Sequence, residues 1–223
     1  MDSQGFIGRE KTRGDCYRFL AACFYQPENE VLFGESLLKN LDASIALISP
    51  EAALFSRKLE RAASRYSDEE LRVEYARLFV GPHDLKAPPY GSLYLDTGRR
   101  VMGDSTLEVL ERYRREGLAV DSDFRELPDH IAVELEFMYY LVYKEAEALE
   151  RSEPERAMHF IRAQDEFLRT VLGQWVQPFC SAIKEHTDNE WFAALADCAA
   201  AFVMYEHSPD HIRASHRPMV AKG

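Results

Sequence analysis

The sequence predicts an all-α protein, built as one helical bundle with a long central loop. Apolar residues recur at intervals of three and four along most of the chain, which is the spacing of helices that bury one face. No segment alternates apolar and polar residues as a half-buried strand would. Three prolines and two glycines between Gly81 and Ser92 exclude a continuous helix there. A helical bundle satisfies all three observations.

We expect a single domain over the 223 residues, because a chain of this length buries a substantial core without disulfides. The predicted organisation, in chain order, is a set of N-terminal helices at about 9–80, a loop or hinge at 81–104, C-terminal helices at 105–206 and a polar tail at 207–223.

The first two helices follow from apolar periodicity. Residues of about 9–26 carry Cys16, Leu20 and Cys23 on one face, and Pro27 ends the run. A second periodic segment covers about 29–48.

Capping residues mark the next two helices. Ser49 followed by Pro50 is typical of a helix start, and this third helix should end near Tyr66. Ser67 and Glu70 form a capping box, in which each side chain bonds to the other residue's backbone amide. A fourth helix should therefore begin after Ser67.

Helical periodicity resumes beyond the loop. The predicted segments are about 105–116, 128–150, 153–172, 174–186 and 189–206, with Pro128 at the start of the strongest one.

Composition excludes several classes of protein. The hydrophobic fraction of 46% and the charged fraction of 29% are those of a globular domain. No run approaches the roughly 18 apolar residues of a membrane span, and the N-terminus has no apolar signal-sequence core, so we expect a cytoplasmic protein without a membrane span. A net charge of −11 opposes binding to nucleic acid, which depends on Lys and Arg.

The four cysteines, Cys16, Cys23, Cys180 and Cys198, show no C-x-x-C spacing and lie in apolar surroundings. We interpret them as buried thiols rather than metal ligands or disulfides.

Acidic residues are concentrated in one segment. Residues 121–156 contain 11 Asp or Glu against 4 Lys or Arg, a net charge of −7. Such a segment would attract a cationic ligand, although a solvated acidic helix face explains the same pattern.

Two stretches resemble a known family. They are Glu74–Pro82 continuing into Ala87–Tyr94, and Leu127–Met138 with its Pro-Asp-His-Ile element. Together they resemble the TorD/DmsD/NarJ redox-enzyme maturation chaperones, and the likeness extends more loosely over about 10–206. Tyr90 departs from the tryptophan of some members. A second Pro-Asp-His-Ile at 209–212 lies outside the family pattern, and we interpret it as coincidental capping chemistry.

The resemblance implies an all-α chaperone that catalyses no reaction. It would bind the twin-arginine signal peptide and the apo-form of a molybdopterin oxidoreductase catalytic subunit, and hold them until cofactor insertion and assembly before export. It implies no cofactor, with guanine nucleotide binding as an alternative, and either a monomer or a domain-swapped dimer. The signal-peptide site carried over from the family consists of Asp129 and His130 with the loop residues Pro88, Pro89, Tyr90, Gly91 and Ser92.

The residues themselves fit such a ligand. Asp129 is expected in the first turn of its helix, and Glu126, Asp121 and Asp123 add negative potential for a guanidinium. Tyr90 and Tyr94 would supply amphipathic contact surface.

Each of these residues also has a purely structural interpretation. The alternative for Asp129 and for His130 is that each only stabilises the helix start. Tyr94 is as consistent with the core, and Gly81 and Gly91 with local backbone needs.

Other classes of function have less support. No Glu stands three residues before any histidine, which argues against a di-iron bundle, and no H-E-x-x-H or P-loop motif is present. His207, His211 and His216 are interpreted as a solvated tail rather than a metal site. A general helix-binding adaptor, or a nucleotide- or metal-binding helical protein, remains the alternative to a signal-peptide chaperone.

Overall fold

The computed structural model describes residues 3–27, 36–81, 85–98, 100–119 and 126–208. Within these ranges it is helical and contains no strand, which confirms the predicted fold class. The helices are α1 (Ser3–Cys23), α2 (Leu37–Ile48), α3 (Ala53–Ala63), α4 (Asp68–Tyr75), α5 (Ser92–Leu95), α6 (Asp104–Arg115), α7 (Ile131–Glu150), α8 (Pro154–Phe167), α9 (Gly173–Glu185) and α10 (Glu190–Glu206).

Two five-residue π-helical segments extend these helices. Ala76–Val80 continues α4, and Leu168–Leu172 joins α8 to α9. In both segments each backbone hydrogen bond spans five residues instead of four. The apolar spacing of the sequence does not reveal this wider turn.

The capping box predicted at Ser67 is present, whereas the N-cap of α3 is Ala52 and not Ser49 as predicted. Ser67 Oγ accepts from Glu70 N–H, and Glu70 Oε2 accepts from Ser67 N–H, so the capping box is confirmed. Ser49 Oγ accepts from Ala52 N–H at 3.4 Å, and a turn over 50–52 precedes α3. The second predicted helix is described from Leu37 onward, and residues 28–35 lie outside the described ranges.

The core is formed by the long helices. Helix α1 packs along α7, α7 packs on α8, and α10 packs against α3 and α9. Both tryptophans, Trp175 and Trp191, are fully buried among them. No described helix combines the length and the apolarity needed to cross a membrane.

The four cysteines are buried free thiols, as predicted. Burial raises the pKa of each thiol well above its usual range, so the thiols remain protonated at neutral pH.

The segment predicted as a loop or hinge, 81–104, contains the short helix α5 within its described residues. The residues before α5 pair with those that precede α7. Backbone groups that the prolines exclude from helical pairing bond instead to another part of the chain.

Candidate functional site

The start of α7 is set by His130 rather than by Pro128. His130 has extended backbone angles, and its Nδ1 accepts from Ala132 N–H at 3.2 Å, so the side chain caps the helix. The first helical residue is Ile131. Asp129 consequently precedes the helix, and its predicted place in the first turn is wrong. The capping role left open for His130 is the one seen here.

The loop and the start of α7 are joined by backbone hydrogen bonds. Ile131 N–H donates to Pro89 O at 2.9 Å, and Gly91 N–H donates to Asp129 O at 2.8 Å. Between these bonds Tyr90 and His130 form an isolated antiparallel bridge. Two stretches about 40 residues apart in the chain are thus in contact, with Pro89, Tyr90 and Gly91 on one side and Asp129 and His130 on the other.

Asp129 supports α5 rather than α7. Its side chain is buried, and Oδ2 accepts from Ser92 N–H at 2.9 Å at the first residue of α5. The other oxygen, Oδ1, has no hydrogen-bond partner among the described residues. The carboxylate therefore satisfies an amide at a helix start, which is a stabilising arrangement, but it presents no surface to solvent.

His130 lies between two tyrosine rings. Tyr25 stacks on the imidazole with ring centroids 6.1 Å apart, and Tyr90 meets it edge-on at 5.4 Å. Burial lowers the pKa of His130 to about 4, so the ring is neutral at physiological pH. Glu126 Oε2, 3.9 Å from Nε2, therefore faces an uncharged partner.

Four side chains lie near His130, and we call the surface that they form the tyrosine–glutamate face. They are Tyr25, Tyr90, Glu126 and Glu136. All four are at least partly exposed, and the Tyr25 hydroxyl is hydrogen-bonded to the Glu136 carboxylate. Partial desolvation raises the pKa of Tyr25 and of Tyr90, with Glu136 and Glu126 adding to the respective increases.

The two carboxylates of this face have no cationic partner in the described ranges. Neither Glu126 nor Glu136 forms an ion pair with a Lys or Arg in the part of the chain that the structure describes. Desolvation by neighbouring groups raises the pKa of both carboxyls, although Glu136 remains exposed at its surface. The face thus holds two acids in an environment that would favour an incoming positive charge.

The remaining predicted site residues lie apart from this face. Pro88 and Ser92 are buried, and Tyr94 stacks on Trp175 at 5.6 Å within the core. Asp121 and Asp123, together with His211, His216 and the second Pro-Asp-His-Ile, lie outside the described residues.

The acidic segment is not a single solvated face. Glu134 and Glu145 are fully buried, as is Asp129. The net charge of −7 counted from the sequence therefore overstates what the surface presents.

Sequence reasoning missed Tyr25 and Glu136. Glu136 stands inside the second family stretch, between Leu135 and Phe137, which are buried. Its sequence neighbourhood does not distinguish it from Glu134, which also stands beside apolar residues but is buried. Tyr25 was hidden because it follows α1 by two residues and reaches the site only through the tertiary fold.

The comparison with protein families is decisive. A family model described as the nitrate reductase delta subunit matches residues 46–181, which is more than half of the chain. The chain belongs to the TorD/DmsD/NarJ family of redox-enzyme maturation chaperones.

The chain is similar to several proteins that are named as chaperones. The Tat proofreading chaperone DmsD of Salmonella typhi is 28% identical over 190 residues, covering 82% of this chain and 82% of DmsD. The chaperone protein TorD of Aliivibrio salmonicida is 24% identical, over 75% of this chain and 77% of TorD. These relatives are named as chaperones and not as enzymes, in agreement with the expectation from the sequence.

A solved structure supports the fold of the chaperone. A redox enzyme maturation protein from Archaeoglobus fulgidus superposes with a TM-score of 0.52 at 22% identity. The match covers 82% of this chain and 90% of the archaeal chain. At this identity the likeness is one of fold, and the all-α architecture is the same in both.

Proposed function

We propose that this chaperone binds the twin-arginine signal peptide of a molybdopterin oxidoreductase at the tyrosine–glutamate face. It would hold the apo-enzyme in the cytoplasm until cofactor insertion and assembly are complete. The observation that carries the proposal is the pair of carboxylates, Glu126 and Glu136, without a cationic partner among the described residues. Relatives named for Tat proofreading support the choice of ligand.

The charge of the face matches a pair of arginines. A guanidinium donates to a carboxylate through two parallel N–H groups, and such bonds are stronger than neutral ones. Desolvation makes the ionised form of an isolated carboxyl less favourable. The attraction to a bound cation would offset that cost. We therefore expect each carboxyl to lose protons on binding, and affinity to fall as pH drops through the raised pKa values of Glu126 and Glu136.

The aromatic groups suit the same ligand. Guanidinium planes stack on tyrosine rings, with an attraction of about 0.5–2 kcal/mol. Tyr90 is fixed by the backbone pairing around it, and Tyr25 by its stacking on His130. A face with rigid rings loses little conformational entropy when the peptide binds.

A titration with three peptides tests this proposal. A twin-arginine signal peptide should bind more tightly than the same peptide with both arginines replaced by lysine, because lysine cannot donate in the bidentate manner. Binding should also weaken with salt, since the Debye length shortens to about 10 Å at 0.1 M. A generic cationic amphipathic helix that binds as tightly as the signal peptide would instead support the general helix-binding adaptor.

A further inference from the structure

A buried polar centre lies against Gly91, the residue that follows Tyr90 of the tyrosine–glutamate face. Glu134, in the first turn of α7, has no exposed surface, and its Oε2 accepts from Trp175 Nε1 at 2.9 Å. Its Oε1 has no hydrogen-bond partner among the described residues. The centre therefore contains a carboxyl group and an indole that hold each other in place between α7 and α9.

The backbone of the loop rests on this pair. A Cβ atom at Gly91 would lie 3.1 Å from Trp175 Nε1 and 3.2 Å from Glu134 Oε1, which is closer than ordinary contact. On its other side Gly91 donates its N–H to Asp129 O. A side chain at this position would require Trp175 or Glu134 to shift by a few tenths of an ångström, so the loop is closely packed at Gly91, one residue from Tyr90.

The neighbours of Glu134 favour its neutral form. Burial raises the pKa of Glu134 well above its usual range, Asp129 adds to that increase, and the hydrogen bond from Trp175 opposes it. Tyr113 on α6 also faces this carboxyl, and its own phenol is held protonated by burial. With Asp129, Tyr113 and Trp175 around it, Glu134 meets no Lys or Arg among the described residues.

We propose that Glu134 and Trp175 are positioning residues, which hold segment 88–95 against α7 so that Tyr90 is pre-arranged over His130 for ligand binding. Neither residue touches the ligand. The inference rests on the proposed function for its effect on binding, whereas the clamp itself concerns the free protein.

Matched tryptophan variants provide the first test. Trp175→Phe removes the indole N–H, whereas Trp191→Phe makes the same change at an equally buried ring whose Nε1 has no hydrogen-bond partner among the described residues. We expect Trp175→Phe to speed hydrogen exchange at the Gly91 and Ser92 amides and to weaken binding of a twin-arginine peptide about tenfold through lost pre-arrangement. Trp191→Phe should change neither. Unaltered exchange and affinity in Trp175→Phe would overturn the clamp.

Substitutions of Glu134 separate positioning from charge. Glu134→Gln keeps an oxygen acceptor for Trp175, so peptide binding should stay within about twofold of wild type, whereas Glu134→Ala should lose binding as Trp175→Phe does. Because the folded protein retains a proton that the unfolded chain releases, the melting temperature of wild type should fall relative to Glu134→Gln as pH rises above the ordinary carboxyl pKa of 4.5. A constant difference, or a tenfold loss of binding in Glu134→Gln, would contradict a neutral positioning group.

The two proposals can fail separately. If wild type binds no twin-arginine peptide, the proposed function fails, while hydrogen exchange at Gly91 and Ser92 in Trp175→Phe still decides whether the clamp exists. If the peptide binds wild type and Trp175→Phe equally, the proposed function stands and the positioning role does not.

Discussion

His130 shows how a single residue carries two structural duties at the candidate site. Its Nδ1 caps α7, and its ring separates Tyr25 from Tyr90. The capping role requires the neutral imidazole, because a protonated Nδ1 cannot accept from Ala132 N–H. His130 thus has a structural role in the tyrosine–glutamate face. The binding energy for the peptide should come from the four residues that form the face.

The titration of His130 should make the free energy of unfolding depend on pH. Its pKa is about 4 in the folded protein and about 6.5 in an unfolded chain, so the unfolded state binds more protons between these values. The contribution is fully present above about pH 6.5 and is lost as pH falls toward 4, up to about 3 kcal/mol. His130→Asn keeps a good capping side chain without titrating, so its acid-side loss of stability in urea denaturation should be smaller. Parallel pH profiles for the two proteins would contradict this assignment.

At the scale of elements, the helices that were predicted best are those with local signals. The start of α4 is set by the capping box, which joins two residues close in the sequence, Ser67 and Glu70. The bounds of α6 and α10 agree with those predicted from apolar spacing. Short-range chemistry decides such boundaries. The π-helical segments and α5 were not predicted, and α5 begins at an amide that donates to Asp129, a residue distant in the sequence.

Gly91 is the loop residue that packs against the side chains of Trp175 and Glu134. In Gly91→Ala the new methyl group would press on the Trp175 indole, and we expect a loss of about 1–3 kcal/mol of unfolding free energy. Gly8→Ala in α1 is a matched control, since nothing lies within 4 Å of its added carbon. Removing a helical glycine there should stabilise by about 0.5–1 kcal/mol. Urea denaturation measures both, and equal effects would show that the contact at Gly91 is not tight.

At the scale of the whole molecule, one buried ionic network joins four helices. Arg13 on α1 donates to Glu10 at 2.6 Å, to Glu206 on α10 at 2.8 Å and to Glu145 on α7 at 3.0 Å. Gln164 on α8 accepts from the same guanidinium at 2.7 Å. Burial raises the pKa of Glu145 to about 7, against the lowering effect of Arg13. Arg13 is thus the cation that the three carboxyls share, and Glu10 also pairs with Arg9 at 3.5 Å.

Removing that cation should be costly. Arg13→Met removes the guanidinium from Glu145 and Glu206 and leaves these buried carboxyls without their ion pair, which typically destabilises by about 3–5 kcal/mol. Lys11→Met is the comparison, because Lys11 and Glu150 form their ion pair in solvent, with 51% and 48% of the side chains exposed. Its denaturation midpoint should stay near that of wild type. Similar midpoints for the two variants would show that the network does not hold the bundle together.

The candidate site could be predicted from the sequence only in part. The stretches around Tyr90 and Asp129 were identified, and the structure joins them through backbone pairing. Their exposure could not be foreseen, since the burial of Asp129 depends on α5, and the place of Tyr25 depends on how α1 packs on α7. Charge counted along a chain does not distinguish Glu134, which is buried, from Glu136, which is exposed.

The central claim is that Glu136 meets an arginine of the signal peptide, and a double-mutant cycle tests it most directly. Calorimetric titrations would combine wild type and Glu136→Gln with a twin-arginine peptide and with peptides in which each arginine is replaced by glutamine. Glu155→Gln on α8 is the matched control, because it removes the same charge from an exposed residue near the far end of the bundle. We predict a coupling energy of about 1.4 kcal/mol, a tenfold effect on Kd, between Glu136 and one arginine, and none for Glu155. Coupling of equal size at both glutamates, or none at Glu136, would contradict the assignment of the tyrosine–glutamate face as the binding site.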